Sequence, residues 1–119
     1  MGVVKCTTEE CRLIAKKARD TLPVLADDEQ IQQRARLFQA LGNETRLHII
    51  GLLAVQEMCA CDIVEGLNGA ASTITHHLRM LEDGGVIISR RVGKFTIYSL
   101  NEDLLTKHRV FDDSILRPG

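Results

Sequence analysis

Cys59 and Cys61 stand one residue apart in the stretch EMCACDIV, with Asp62 beside them and an apolar segment just beyond. Two further cysteines, Cys6 and Cys11, complete the set of four. Thiols spaced in this way can pack as small hydrophobes, close as a redox pair, or bind a soft metal ion. A single Cys-x-Cys cannot enclose an ion, because it offers two sulfurs where stable thiolate sites use about three or four. A thiolate-rich site would therefore draw on Cys6 and Cys11. Sulfur ligands favour Cd(II), Pb(II), Zn(II), Bi(III), As(III) or Hg(II) over Mg or Ca. Asp62 is placed to tune such a site from outside the ligand set. Catalysis is disfavoured. The spacing is not the Cys-x-x-Cys of a thioredoxin-like reductase, and neither a phosphate-binding loop nor a dinucleotide-binding glycine motif can be read.

A second constellation is suited to nucleic acid. Across residues 71–100, Arg79, Arg90, Arg91 and Lys94 face only Glu82 and Asp83, on a chain whose net charge is −1. A local basic surface on a near-neutral chain is compatible with DNA binding. Residues placed about 100° apart from Ala71 onward put Ile74, His77, Leu78 and Leu81 on one side of a helix. Ser72, Thr75, His76 and Arg79 fall on the other, with Thr73 and Met80 at a margin. Small, hydroxylated and basic side chains can approach phosphates and base edges closely. N–H groups near Ser72 and Thr73, at the helix start, favour phosphate. A solvated surface helix is the alternative reading of the same face. His77, on the apolar flank, reads as a packed, hydrogen-bonded histidine, and His76 as the contact candidate. Arg90, Arg91 and Lys94 are expected at the tip of a hairpin, within reach of a flanking phosphate or a minor groove.

The elements that must position these groups are mostly helices. The chain has 119 residues and is 45% hydrophobic, enough for one core. Thr7 and Glu10 form a capping box for a first helix that Pro23 ends. Asp27 or Asp28 starts a second, with Ile31, Ala35, Phe38 and Leu41 at helical spacing, and Gly42 closes it. Asn43 caps a third, with Leu47, Ile50, Leu53 and Ala54 as its apolar stripe. Ile63, Val64 and Leu67 make a short helix, and Asn68-Gly69 a turn. The helix from Ala71 to Glu82 follows and stops at Gly84-Gly85. VIISRR, the turn Val92-Gly93-Lys94, and FTIYSL predict a β-hairpin. Asn101 caps a last helix to about Lys107, and a frayed tail is expected over 109–119. The fold class is therefore mainly α (α+β): a single winged helix-turn-helix domain over 1–119, with a Cys-bearing N-terminal arm and helix over 1–26. No apolar run approaches the roughly 20 residues of a membrane span. The start of the chain lacks the apolar stretch of a signal peptide, so a cytoplasmic location is expected.

The segments LFQALGNETRLHIIGLL, MCACDIV, ASTITHHLRMLEDGGVI and RRVGKFTIYSL together resemble the ArsR/SmtB family of metal-sensing repressors. The resemblance implies a homodimer, joined through its first and last helices, that binds double-stranded palindromic operator DNA and releases it when metal binds. The cysteine layout is most like that of the family's cadmium/lead sensors. Cys59 and Cys61 match their Cys-x-Cys, and Cys6 and Cys11 resemble the pair in their N-terminal arm, with one residue more between them. The arm could come from the other protomer. Val64 stands where the arsenic-sensing pattern has a third cysteine. The family's second metal site, on the last helix, is expected to be absent, because a leucine takes a histidine's place although Glu102, Asp103 and His108 are present. A thiol redox switch acting through the same cysteines is the alternative effector chemistry.

Overall fold

The computed structural model describes residues 5–108, and the tail expected to fray, 109–119, lies outside them. The chain divides into two compact units, one up to residue 35 and one from residue 36 onward.

In the first unit, helix α1 spans Thr8–Thr21. Thr7 caps it: its hydroxyl oxygen accepts from the Glu10 N–H at 3.2 Å, while its O–H donates to Glu10 Oε1 at 3.0 Å. The capping box thus closes through the hydroxyl, with the Glu10 carboxylate engaged on the threonine side chain. Leu13 and Ile14 are more than half exposed. Pro23 cannot continue the helix and opens a 3-10 turn, Pro23–Ala26. Helix α2, Asp28–Leu41, then begins. Asp27 Oδ1 accepts from the N–H groups of Glu29 (3.0 Å) and Gln30 (3.2 Å).

The second unit holds the core. Helix α3 spans Glu44–Val55, and Asn43 caps it by accepting from Arg46 N–H at 3.1 Å. Strand β1 is only Met58–Cys59 and runs directly into α4, Ala60–Leu67. Helix α5 covers Ala71–Asp83, strands β2 and β3 cover Ile87–Val92 and Phe95–Leu100, and α6 covers Glu102–Lys107. The antiparallel sheet has the order β1-β3-β2. Val92 pairs with Phe95, so the hairpin turn is Gly93-Lys94 alone, one residue shorter than expected. Gly93 has φ +61°, the left-handed first position that a tight two-residue hairpin turn of this kind requires. Ile49, Ile63, Leu81, Ile87 and Leu105 are fully buried and join α3, α4, α5, the sheet and α6 in one core.

The expected apolar stripes are buried in part: Ile50, Leu53 and Ala54 of α3 and Leu41 of α2 meet the core, whereas Phe38 and Leu47 do not. In α2 the buried positions are Leu37 and Ala40, and Phe38 is 60% exposed. In α3 they are Arg46, Ile49, Ile50 and Leu53, and Leu47 is exposed. The Arg46 guanidinium occupies the inner face of α3, and an arginine is not counted when apolar residues define the stripe. No helix among the described residues is long and apolar enough to cross a membrane.

Candidate nucleic-acid interface and metal centre

The helix-turn-helix is α4, the turn and α5. Asn68 ends α4 in the left-handed conformation, φ 51°, a region asparagine tolerates better than most residues. Gly69 N–H returns to the Val64 carbonyl at 3.2 Å, which closes the turn and sets where α5 starts. Ile74, Leu78 and Leu81 anchor α5 in the core. The opposite face carries Ser72, Thr73, Thr75, His76 and Arg79, all exposed. These five expected contacts therefore share one solvent face. The Thr75 hydroxyl donates to the Ala71 carbonyl at 2.8 Å, which fixes its rotamer and leaves its oxygen lone pairs outward.

The N-terminus of α5 is capped by Ala70, and no side chain bonds the first N–H groups there. Helix starts normally recruit Ser, Thr, Asp or Asn for that role. N–H groups left uncapped beside hydroxyls, on an exposed face, suit an external anion such as a phosphate.

The wing differs from the expected cluster. Arg90 and Arg91 lie on β2, opposite Ile97 and Thr96, and only Lys94 sits in the turn. Successive strand residues face opposite sides of a sheet, so Arg90 and Arg91 leave the hairpin on opposite faces. Arg90 forms an ion pair with Glu57, the residue just ahead of β1. Arg91 Nη1 donates to the Thr96 hydroxyl at 3.3 Å. The Lys94 ammonium lies 5.6 Å from the centre of the Phe95 ring at the tip.

The cysteines fall into two pairs, all four as free thiols. Cys59 ends β1 opposite Ile97 and is at the same time the N-cap of α4. It is half-buried, whereas Cys61, in the first turn of α4 next to Asp62, is exposed. Cys6 immediately precedes the cap of α1, and Cys11 lies in that helix with its N–H on the Thr7 carbonyl at 2.9 Å. Both are exposed. Within each unit, and among the described residues, no three Cys, His, Asp or Glu side chains gather closely enough to hold an ion. Each pair alone thus fits a thiophilic ion in donor type and falls short in donor number.

Sequence reasoning passed over Arg46, Glu57 and the strand character of Met58–Cys59. Arg46 is 8% exposed. Its Nε donates to the Ala40 carbonyl (2.7 Å), its Nη2 to the Gln39 carbonyl (3.2 Å) and its Nη1 to His77 Nδ1 (3.2 Å). His77 is held below the usual imidazole range by burial first, then by the charges of Arg46 and His76. The expectation of a packed, hydrogen-bonded His77 agrees with this placement.

Residues 43–89 match the pattern described as "bacterial regulatory protein, arsR family". A transcriptional repressor SmtB homolog from Synechocystis is 34% identical over 88 residues, covering 74% of this chain and 67% of that protein. A cadmium resistance transcriptional regulatory protein CadC homolog from Staphylococcus aureus is 36% identical over 70 residues, 58% of each chain. Among solved structures, the homodimeric winged helix-turn-helix DNA-binding domain Mb0332 of Mycobacterium bovis superposes with a TM-score of 0.61. It is 31% identical, with 75% of this chain and 86% of that one covered.

Proposed function

The chain belongs to the ArsR family of bacterial regulatory proteins, and on that premise we propose that it is a metal-responsive transcriptional repressor. It binds palindromic operator DNA as a homodimer and lets go when its cysteines capture a thiophilic ion of the Cd(II), Pb(II), Zn(II), Bi(III) or As(III) class. The observation that carries this reading is the position of Cys59. It starts the first helix of the helix-turn-helix and is paired by its backbone to β3 of the wing. Whatever pulls on that thiol acts on both DNA-facing elements.

On the DNA side, α5 lies in the major groove. The uncapped N–H groups and the hydroxyls of Ser72 and Thr73 take a phosphate, and Thr75, His76 and Arg79 address base edges. Lys94 at the wing tip, with Arg91 beside it, meets the flanking backbone. A second copy, joined through the exposed Leu13 and Ile14 face of α1 and through α6, sets the second reading helix about one helical turn of DNA away. On the effector side, a bound ion supplies a soft Lewis acid that links sulfurs. Cys59 and Cys61 contribute two, and Cys6 and Cys11 of the same or the partner chain complete the set. The relative named for cadmium resistance supports this ligand class. The coupling is reciprocal, so operator DNA weakens the hold on metal.

The test is fluorescence anisotropy with the reduced protein and a duplex it selects from a random-sequence pool, with and without Cd(II), Pb(II) and As(III). Metal should release the duplex, and ultraviolet sulfur-to-metal charge-transfer bands should appear on titration. Cys59→Ser and Cys61→Ser should abolish both effects, and Cys6→Ser and Cys11→Ser should weaken them. If metal leaves duplex affinity unchanged, the sensor reading fails. If peroxide rather than metal ends DNA binding, the redox reading replaces it.

A further inference from the structure

Three helices meet at one buried guanidinium. Arg46, on α3, donates to two carbonyls of the last turn of α2 and to one ring nitrogen of α5. Arginine has only donors, so a hydrogen bond between its N–H and His77 Nδ1 requires a lone pair on that nitrogen. His77 therefore carries its proton on Nε2 and is neutral. We infer that His77 is a positioning residue for the DNA-reading helix, and that the Arg46–His77 bond is a strut that fails in acid and takes the grip on DNA with it. This inference rests on the proposed role of α5.

Protonation of His77 places a proton on Nδ1, directly against Arg46 Nη1. The bond is then lost and a like-charge contact replaces it. Arg46 cannot turn away at little cost, because it is buried and two of its donors close the C-terminal turn of α2. His77 is on the same helix as His76 and Arg79 and only half-buried, so it has room to move outward. The yielding partner is α5. The ionisable groups that act on the ring are Arg46, from α3, and His76, from its own helix, whose ring centre is 5.7 Å away. Neither supplies a compensating negative charge. Glu82, further along α5, accepts from the Ser89 hydroxyl at 2.6 Å. Docked DNA holds α5 in place, so the bound protein resists protonation at His77 more than the free protein does. By linkage, acid weakens binding.

The experiment compares the full chain with H77N and H77A, using a duplex selected by the reduced protein from a random-sequence pool. Asparagine Oδ1 can replace Nδ1 as the acceptor and does not titrate. From about pH 7.5 to about pH 5.5 the wild type should lose more affinity than H77N, by a factor that uptake of one proton below the ordinary value limits to about tenfold. H77A should bind weakly throughout, and H77N should recover much of that loss at neutral pH. Nitrogen NMR of the imidazole, without DNA, should show an unprotonated Nδ1 at neutral pH. Parallel pH profiles for wild type and H77N, or a protonated Nδ1 at neutral pH, would overturn the inference. No duplex binding by the wild type at any pH sinks the DNA reading itself, and the positioning role falls with it whatever the ring nitrogens show.

Discussion

Ala70→Asp should stabilise the folded chain and weaken its hold on DNA. Ala70 is exposed, with φ −77° and ψ 134°, the extended geometry of an N-cap, but its methyl accepts no hydrogen bond. An N-cap aspartate in place of alanine is worth about 1 kcal/mol, within about 0.5–2 kcal/mol. Its charge at the positive end of α5 adds about 0.3–1 kcal/mol. The same carboxylate would stand where the proposal puts a phosphate. At a separation of about 6 Å, repulsion is about 0.7 kcal/mol in water and about 3 kcal/mol at an effective dielectric constant of about 20. The expected loss of DNA affinity is thus between about threefold and about a hundredfold, largest at low salt. Ala70→Ser separates the two effects, because it restores a cap without charge. Urea unfolding should rank Asp and Ser above Ala, and duplex anisotropy should rank Ser well above Asp. If the aspartate variant is stabilised and binds the duplex as tightly as the serine variant, the start of α5 does not meet a phosphate and the docking reasoning is wrong.

Other perturbations address the frame. An added Cβ at Gly84 would lie 2.6 Å from the Ala40 Cβ, while the backbone there, φ −79°, accepts any residue, so Gly84→Ala should cost about 1–3 kcal/mol by crowding alone. A urea-derived loss below about 0.5 kcal/mol would mean that the corner between α2 and α5 yields. Arg79→Ala and Lys94→Ala should each lower the dependence of log affinity on log salt by about 0.9 for a lost phosphate contact, and Arg79→Ala should also relax sequence preference if it reads a base. Unchanged slopes would remove those residues from the interface. Because His77 is held below its ordinary value of 6.5, the unfolded chain takes up a proton there that the folded chain refuses. Its contribution to stability is present above about pH 6.5 and is lost as the pH falls through the lower folded value, so the urea midpoint should drop in acid more for wild type than for H77N. Equal drops would assign the acid response to other groups.

What could be read in the sequence was local. Thr7, Asn43 and Asn101 each accept from an N–H three residues on, and caps of that kind depend on side-chain chemistry at a fixed offset. The hairpin was legible from its β-branched residues and from Gly93, and the outer face of α5 from the helical period. What could not be read depended on distant partners. Met58–Cys59 becomes a strand only because Tyr98 and Ile97 lie across from it, and two residues carry no period of their own. Arg46 looks like a surface cation in sequence, yet the carbonyls of Gln39 and Ala40 and the ring of His77 give each arm of its guanidinium a partner inside. That burial puts Arg46 on the inner face of α3 beside Ile49, Ile50 and Leu53. Arg90 appeared free at a wing tip because Glu57, 33 residues earlier, gave no hint of its proximity.

The brevity of β1 makes the distance between α3 and α4 a ruler. Met58 packs against the core while its neighbour Cys59 begins α4, and adjacent strand positions point to opposite sides. Inserting or deleting one residue within Met58–Cys59 would shift the pairing with Tyr98 and Ile97 by one position and turn each side chain to the other face. Substitutions here keep the parity, whereas a change of length reverses it. If the proposed response to metal holds, variation that preserves it should alter the letters of this segment and leave their number untouched.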